Sequence, residues 1–177
     1  LIQYNFILHY RKAFFNELAK YYDVTVLHSG KKSILDEDKY KLQITLNSLN
    51  IRAYYELNSY NGVFAWIFLQ DELPSKIVFN FAQFILKKAN ISAKIYPNKE
   101  FATKESLGNS LELPLHLKFR DKNKTVFIDV NTNKIHEDQW QILNNVQKVS
   151  KQIIYNFGET TSVNNEEKEL KKIEFPL

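Results

Sequence analysis

The chain has 177 residues, 44% of them hydrophobic and 25% charged, with a net charge of +4 and no cysteine. That is one domain, or one with a small extension, able to bury a core without covalent help, and the missing cysteine excludes a disulfide framework and a thiolate zinc site. No apolar run approaches the roughly 20 residues that span a bilayer, so the chain reads as cytoplasmic with no membrane partner, and its basic balance suits a polyanion.

Leu1–Leu8 has the composition of an apolar strand and lacks the basic segment and cleavage site of a signal peptide. Arg11–Tyr22 carries Phe14, Leu18 and Tyr21 at helical spacing, and Asp23–Leu27 reads as a second strand closing at Ser29-Gly30. Residues 1–35 thus predict a β-α-β opening. Lys39–Leu49 places Leu42, Leu46 and Leu49 on one helical face. Two β-rich runs, Arg52–Leu57 and Val63–Leu69, flank Asn58-Ser-Tyr-Asn-Gly62, whose Asn-Gly predicts a hairpin. Leu73-Pro74-Ser75 opens a helix with Ile77, Val78, Phe81, Ile85 and Leu86 as its buried stripe; Lys87 and Lys88 suit its C-terminal dipole and Asn90 a left-handed cap. A second hairpin, Ser110–Arg120 against Thr125–Val130, is predicted to turn at Asp121–Lys124. Asp138 caps a last helix carrying Trp140, Leu143, Val146, Val149 and Ile153, and residues 156–177 read as a polar tail.

The second hairpin is where the pattern suggests chemistry. Strand alternation puts His116, Lys118 and Arg120 on one face, and the expected register sets His116 opposite Asp129. Cations facing a carboxylate could hold a triphosphate beside a divalent metal ion; the plainer reading is a solvated face with cross-strand charge pairs. Tyr54, Tyr55, Tyr60 and Trp66 could stack on bases, although aromatic residues on strands more often belong to the core. His9, His28 and His136 have no metal-ligand spacing, and the four glycines form no phosphate loop.

Taken in order, Asn61-Gly-Val-Phe-Ala-Trp-Ile-Phe68, Tyr96-Pro-Asn-Lys99, Gly108-Asn109 with Leu113-Pro-Leu115, Val126-Phe-Ile-Asp129 and Asp138-Gln-Trp140 resemble the primase-polymerase domain of the archaeo-eukaryotic primase superfamily. The branches they resemble most are those of TOTE conflict systems and CRISPR-associated primase-polymerases. The resemblance spans about residues 36–150. It implies an α+β fold, an RRM-like antiparallel sheet with flanking helices over residues 36–155, and nucleic-acid-templated nucleotidyl transfer. It further implies Mg2+ or Mn2+ held by Asp129 with Asp36 and Asp38, and phosphates held by His116, Lys118, Arg120 and Asn109. The partners it implies are nucleoside triphosphates and a single-stranded DNA or RNA template.

Two positions depart from the family pattern. Its second motif has a histidine two residues before the Trp of Trp-Ile-Phe, where this chain has Phe64, which can neither donate to a phosphate nor move a proton. Its first motif, Asp-x-Asp or Asp-x-Glu after an apolar strand, is matched only by Asp36-Glu37-Asp38, a triplet that equally suits a helix N-terminus. Glu56, near Ser59, is expected to position its neighbours. A non-catalytic module that binds single-stranded nucleic acid is therefore the alternative. Residues 1–33 resemble the start of a family-4 glycosyltransferase, which would make the chain a fragment with parallel strands and alternating helices.

Overall fold

The computed structural model describes residues 21–28, 36–59, 62–97 and 113–157, with backbone alone for 21–24, 28 and 36. Five strands, β1 (Tyr21–His28), β2 (Tyr54–Leu57), β3 (Val63–Pro74), β4 (Lys94–Tyr96) and β5 (Val126–Ile128), form one sheet in the order β4-β1-β3-β2-β5. All neighbours are antiparallel, so the fold is α+β with an open antiparallel sheet, as predicted. The antiparallel pairing does not support the parallel arrangement that a glycosyltransferase start would bring. Residues 1–20 of the expected opening lie outside the described residues. Its second strand is β1, which pairs with β3 and β4 inside the common sheet. Among the described residues no helix is long and apolar enough to cross a membrane.

The β2–β3 hairpin forms where Asn-Gly predicts it, with Leu57 paired to Val63. Asn58 closes the turn: its backbone N–H donates to the Gly62 carbonyl at 2.9 Å, and its Oδ1 accepts from the Gly62 N–H at 2.8 Å. A Cβ at position 62 would sit 2.7 Å from the Asn58 amide nitrogen, so this close approach needs glycine. Helix α1 (Asp36–Ser48) begins earlier than its apolar spacing suggests, because the acidic triplet forms its first turn and Glu37 pairs with Lys41 at 2.7 Å. Helix α2 (Ser75–Ala89) follows Pro74 and ends at Asn90, whose φ of 53° is left-handed and whose N–H returns to the Leu86 and Lys87 carbonyls.

Side chains alternate across the sheet. Leu27, Tyr55, Val63, Ala65, Ile67, Leu69 and Ile128 pack with Leu42 and Leu46 of α1 and Val78, Phe81, Ala82 and Ile85 of α2. On the opposite face Val26, Tyr54, Phe64, Trp66, Phe68 and Phe127 pack under Leu115 and Leu143. Both faces are therefore buried, which is why β3 reads as a continuous apolar run.

Two predicted elements are corrected. Residues 117–120 are not a strand but a short helix, α3 (Leu117–Arg120), and of the predicted second strand only Val126–Ile128 forms. Both edges of β5 are already occupied. β2 takes one, and the other meets Ile135, with the His136 N–H donating to the Phe127 carbonyl. Residues 113–120 thus find no free edge of β5, and residues 110–112 of the predicted strand lie outside the described residues. The last helix is also broken. Helix α4 (Gln139–Asn144) starts at Asp138, whose carboxylate accepts from the Gln141 N–H at 2.9 Å. Val149 then bridges to Leu69 beside β3, and residues 151–157 form a separate helical turn that buries Ile154.

Candidate functional site

The face beneath α4 is built on the central strand β3. Phe64, Trp66 and Phe68 alternate along it, with the Trp66 and Phe68 rings stacked 6.4 Å apart and Tyr54 edge-on to Phe68 at 5.7 Å. Trp66 is fully buried, and its Nε1–H donates to Oε2 of Glu56, itself 0% exposed, at 2.5 Å. Glu56 pairs with Phe64 in register and lies diagonal to Trp66, so one carboxylate fixes the indole from the neighbouring strand. Its positional role, read from the sequence, takes this concrete form. The Tyr54 hydroxyl accepts from the Gln147 N–H at 2.7 Å, and Tyr55 is buried on the helical face, where desolvation raises its phenol above the ordinary value. These rings are core and not exposed base platforms; Tyr60 lies outside the described residues.

Asp129 directly follows β5 and folds its own turn. Its Oδ1 accepts from the Thr132 N–H at 2.8 Å, the Asn131 N–H at 3.0 Å and the Thr132 hydroxyl at 3.0 Å. These bonds, those from Thr132 foremost, hold its carboxyl below the usual carboxylate value. The turn rests on α1, where Lys39 Nζ donates to Asn133 Oδ1 and the Tyr40 hydroxyl to the Asn131 carbonyl. A depressed native pKa contributes stability that is present above the unfolded value of 3.8 and is lost as pH falls through the native one. Urea unfolding of Asp129→Ala should accordingly show a deficit at neutral pH that closes as pH falls through the lowered native value.

The predicted site residues are not brought together as expected. Asp36 and Asp38 are in the first turn of α1. His116 caps α3, its Nδ1 accepting from the Lys118 N–H at 3.3 Å, and Lys118 and Arg120 are in that helix. Leu115 and Thr125 join at 2.6 Å through the Leu115 N–H and the Thr125 carbonyl, so this basic turn sits at the start of β5 while Asp129 follows its end. The three residues of β5 separate Thr125 from Asp129, four steps of chain or roughly 13 Å. The predicted His116–Asp129 cross-strand pair is not formed. Asn109 and Lys99 lie outside the described residues.

A family model, the archaeo-eukaryotic primase domain of TOTE conflict systems, matches residues 19–157. The chain belongs to that family. No curated protein matches it. The family's domains are generally metal-dependent nucleotidyltransferases whose partners are nucleotides and nucleic acids. The match begins just before β1, so in the primase-family domain that strand is part of the matched unit.

Among the described residues the candidate metal ligands are not gathered into one centre. Asp129 commits one oxygen to its own turn, and β5 lies three strands from β1, roughly 14 Å away. No carboxylate follows β1 before Asp36. Among the described residues no group of three or more His, Asp or Glu side chains is close enough to hold one ion. Lys122 and Lys124, which extend the basic turn, went unremarked in the sequence because they fall in the predicted hairpin turn. The charge run Lys118, Arg120, Lys122 and Lys124 was the available signal.

Proposed function

We propose that this primase-family domain binds single-stranded nucleic acid and does not itself join nucleotides. The observation that carries the reading is at position 64. A phenylalanine, 9% exposed and packed in the aromatic cluster, stands where the family pattern has an imidazole. A hydrocarbon ring neither donates a hydrogen bond to a phosphate nor transfers a proton. The basic turn at 116–124 supports the binding half of the proposal, since it offers four cations to one acid, Asp121, at one end of the sheet, with no cluster of three or more metal-ligating side chains among the described residues.

The catalytic reading has one observation in its favour. Asp129 keeps its charge, and its turn lies against α1 immediately after Asp38. On that reading Asp129 with Asp36 and Asp38 would hold Mg2+ or Mn2+, while His116, Lys118, Arg120 and Asn109 would hold a nucleoside triphosphate on a DNA or RNA template. Fluorescence anisotropy of a labelled oligo-dT separates the two. Equal affinity in EDTA and in Mn2+ is expected; binding that requires the metal and disappears in Asp129→Ala would overturn the proposal.

A further inference from the structure

The turn that replaces the predicted strand has a composition that folding alone does not account for. Between His116 and Lys124 it carries Lys118, Arg120, Lys122 and Lys124 against a single acid, Asp121. Leu117 within it is 68% exposed, next to Lys118, which is also exposed. An apolar side chain this open contributes little to the core. The rings of His116 and Phe119 lie 5.3 Å apart and Lys118 Nζ is 5.4 Å from the Phe119 centroid, so imidazole, ammonium and phenyl groups gather around the exposed leucine's own turn.

The turn is also held in a fixed shape. Phe119 and Arg120 donate N–H bonds to the His116 carbonyl, and Lys122 and Lys124 to that of Phe119. Leu115 (φ 58°), Asn123 (φ 57°) and Thr125 (φ 55°) are left-handed, and two of these are not residues that adopt the conformation readily. Such backbone is strained and persists only where the surroundings enforce it. Here the Thr125 N–H donates to the Leu57 carbonyl at the end of β2, which ties the turn to the sheet. Cations on a rigid support lose less conformational entropy on binding than cations on a loose tail.

We infer that the 116–124 turn is the element that grips a single nucleic-acid strand, with Lys118, Arg120, Lys122 and Lys124 on its phosphates and Leu117 against a base. This rests on the nucleic-acid-binding reading above and gives the cations a different ligand from the triphosphate of an incoming nucleotide. A strand suits the arrangement because the cations are spread over seven positions of the chain, 118 to 124. The bases of such a strand offer the apolar group among the cations a partner.

Anisotropy of labelled oligo-dT over a potassium chloride series tests it. Each phosphate contact contributes about 0.7 to the logarithmic salt slope on single strands, so Lys118→Gln with Lys122→Gln should lower the slope by about 1.4. Lys87→Gln with Lys88→Gln, the same charge change at exposed positions ending α2, should leave it unchanged. Leu117→Ala should weaken oligo-dT binding roughly fivefold with an unaltered slope, yet bind heparin, a polyanion without bases, as wild type does. All four lysine positions and Leu117 are surface sites, and unchanged thermal midpoints confirm that the variants fold. If wild type binds oligo-dT but the Lys118/Lys122 variant keeps its slope, the turn is not the grip and the binding reading stands. If the α2 control loses as much slope as the turn variant, net charge and not this turn explains binding. If wild type does not bind, the reading and the inference fail together.

Discussion

Replacing Trp66 by alanine is expected to destabilise the domain by about 3–5 kcal/mol, the range for removing a fully buried large aromatic side chain. Three losses coincide. The indole is 0% exposed in the central strand, so its removal leaves a cavity beneath α4. Its stacking on Phe68 and its contact with Phe64 are lost. The hydrogen bond to Glu56 is lost as well, and that carboxylate stays buried between β3 and β5. Against a typical domain stability of about 5–15 kcal/mol, little would remain. Trp66→Phe separates the terms, because it keeps most of the volume and removes the indole N–H; a cost of about 1–3 kcal/mol is expected. Urea unfolding midpoints measure both. A cost below 1 kcal/mol for Trp66→Ala would mean that this face is not sealed as described.

The second large effect is on binding. With four cations of the 116–124 turn engaged on a single strand, the logarithmic salt slope should be about −2.8, and affinity should fall about fiftyfold between 50 and 200 mM salt. Arg120 also lies 3.4 Å from Asp121 and contributes less than the lysines if that pair persists. A slope near zero would remove the phosphate backbone from the interaction. A slope much steeper than −2.8 would require cations beyond this turn, and the variants of Lys87 and Lys88 would be the first place to look.

How much of this was legible beforehand differs from one element to the next, for physical reasons. The β2–β3 hairpin and α2 carry their own punctuation: Asn-Gly at one turn, Pro74 before the helix and Asn90 after it, with every signal agreeing locally. The second hairpin failed because Leu115–Arg120 alternates in a way that suits a strand, while whether a strand forms depends on a free edge. β5 had none, since Ile135 and β2 occupy both sides. β1 was assigned to a separate opening because its partners, β3 and β4, are distant in sequence, and antiparallel pairing at that range leaves no local mark. Equally, the broken last helix reflects the tertiary bridge of Val149 to Leu69, which overrides the apolar spacing that joined Trp140 to Ile153.

For the site, the substitution at position 64 was visible directly, since it needs only the family pattern and the residue. The fate of the aromatic residues was not. A tryptophan on a strand has the same local sequence whether it faces bases or core, and only the packing of Leu115 and Leu143 over Trp66 decides between them. The expected closeness of Asp129 and the basic turn rests on one hairpin register, which does not form. Once residues 117–120 are helical, the cations and the carboxylate sit at opposite ends of a three-residue strand.

The most direct test of the central claim is incorporation of radiolabelled dNTP and NTP on a primed and an unprimed oligonucleotide template in Mn2+, with wild type and Asp129→Ala side by side. Template binding without incorporation, identical for the two proteins, is the predicted result. Incorporation by wild type that is abolished in Asp129→Ala would contradict it, and would mean that nucleotide transfer proceeds in this domain without an imidazole at position 64.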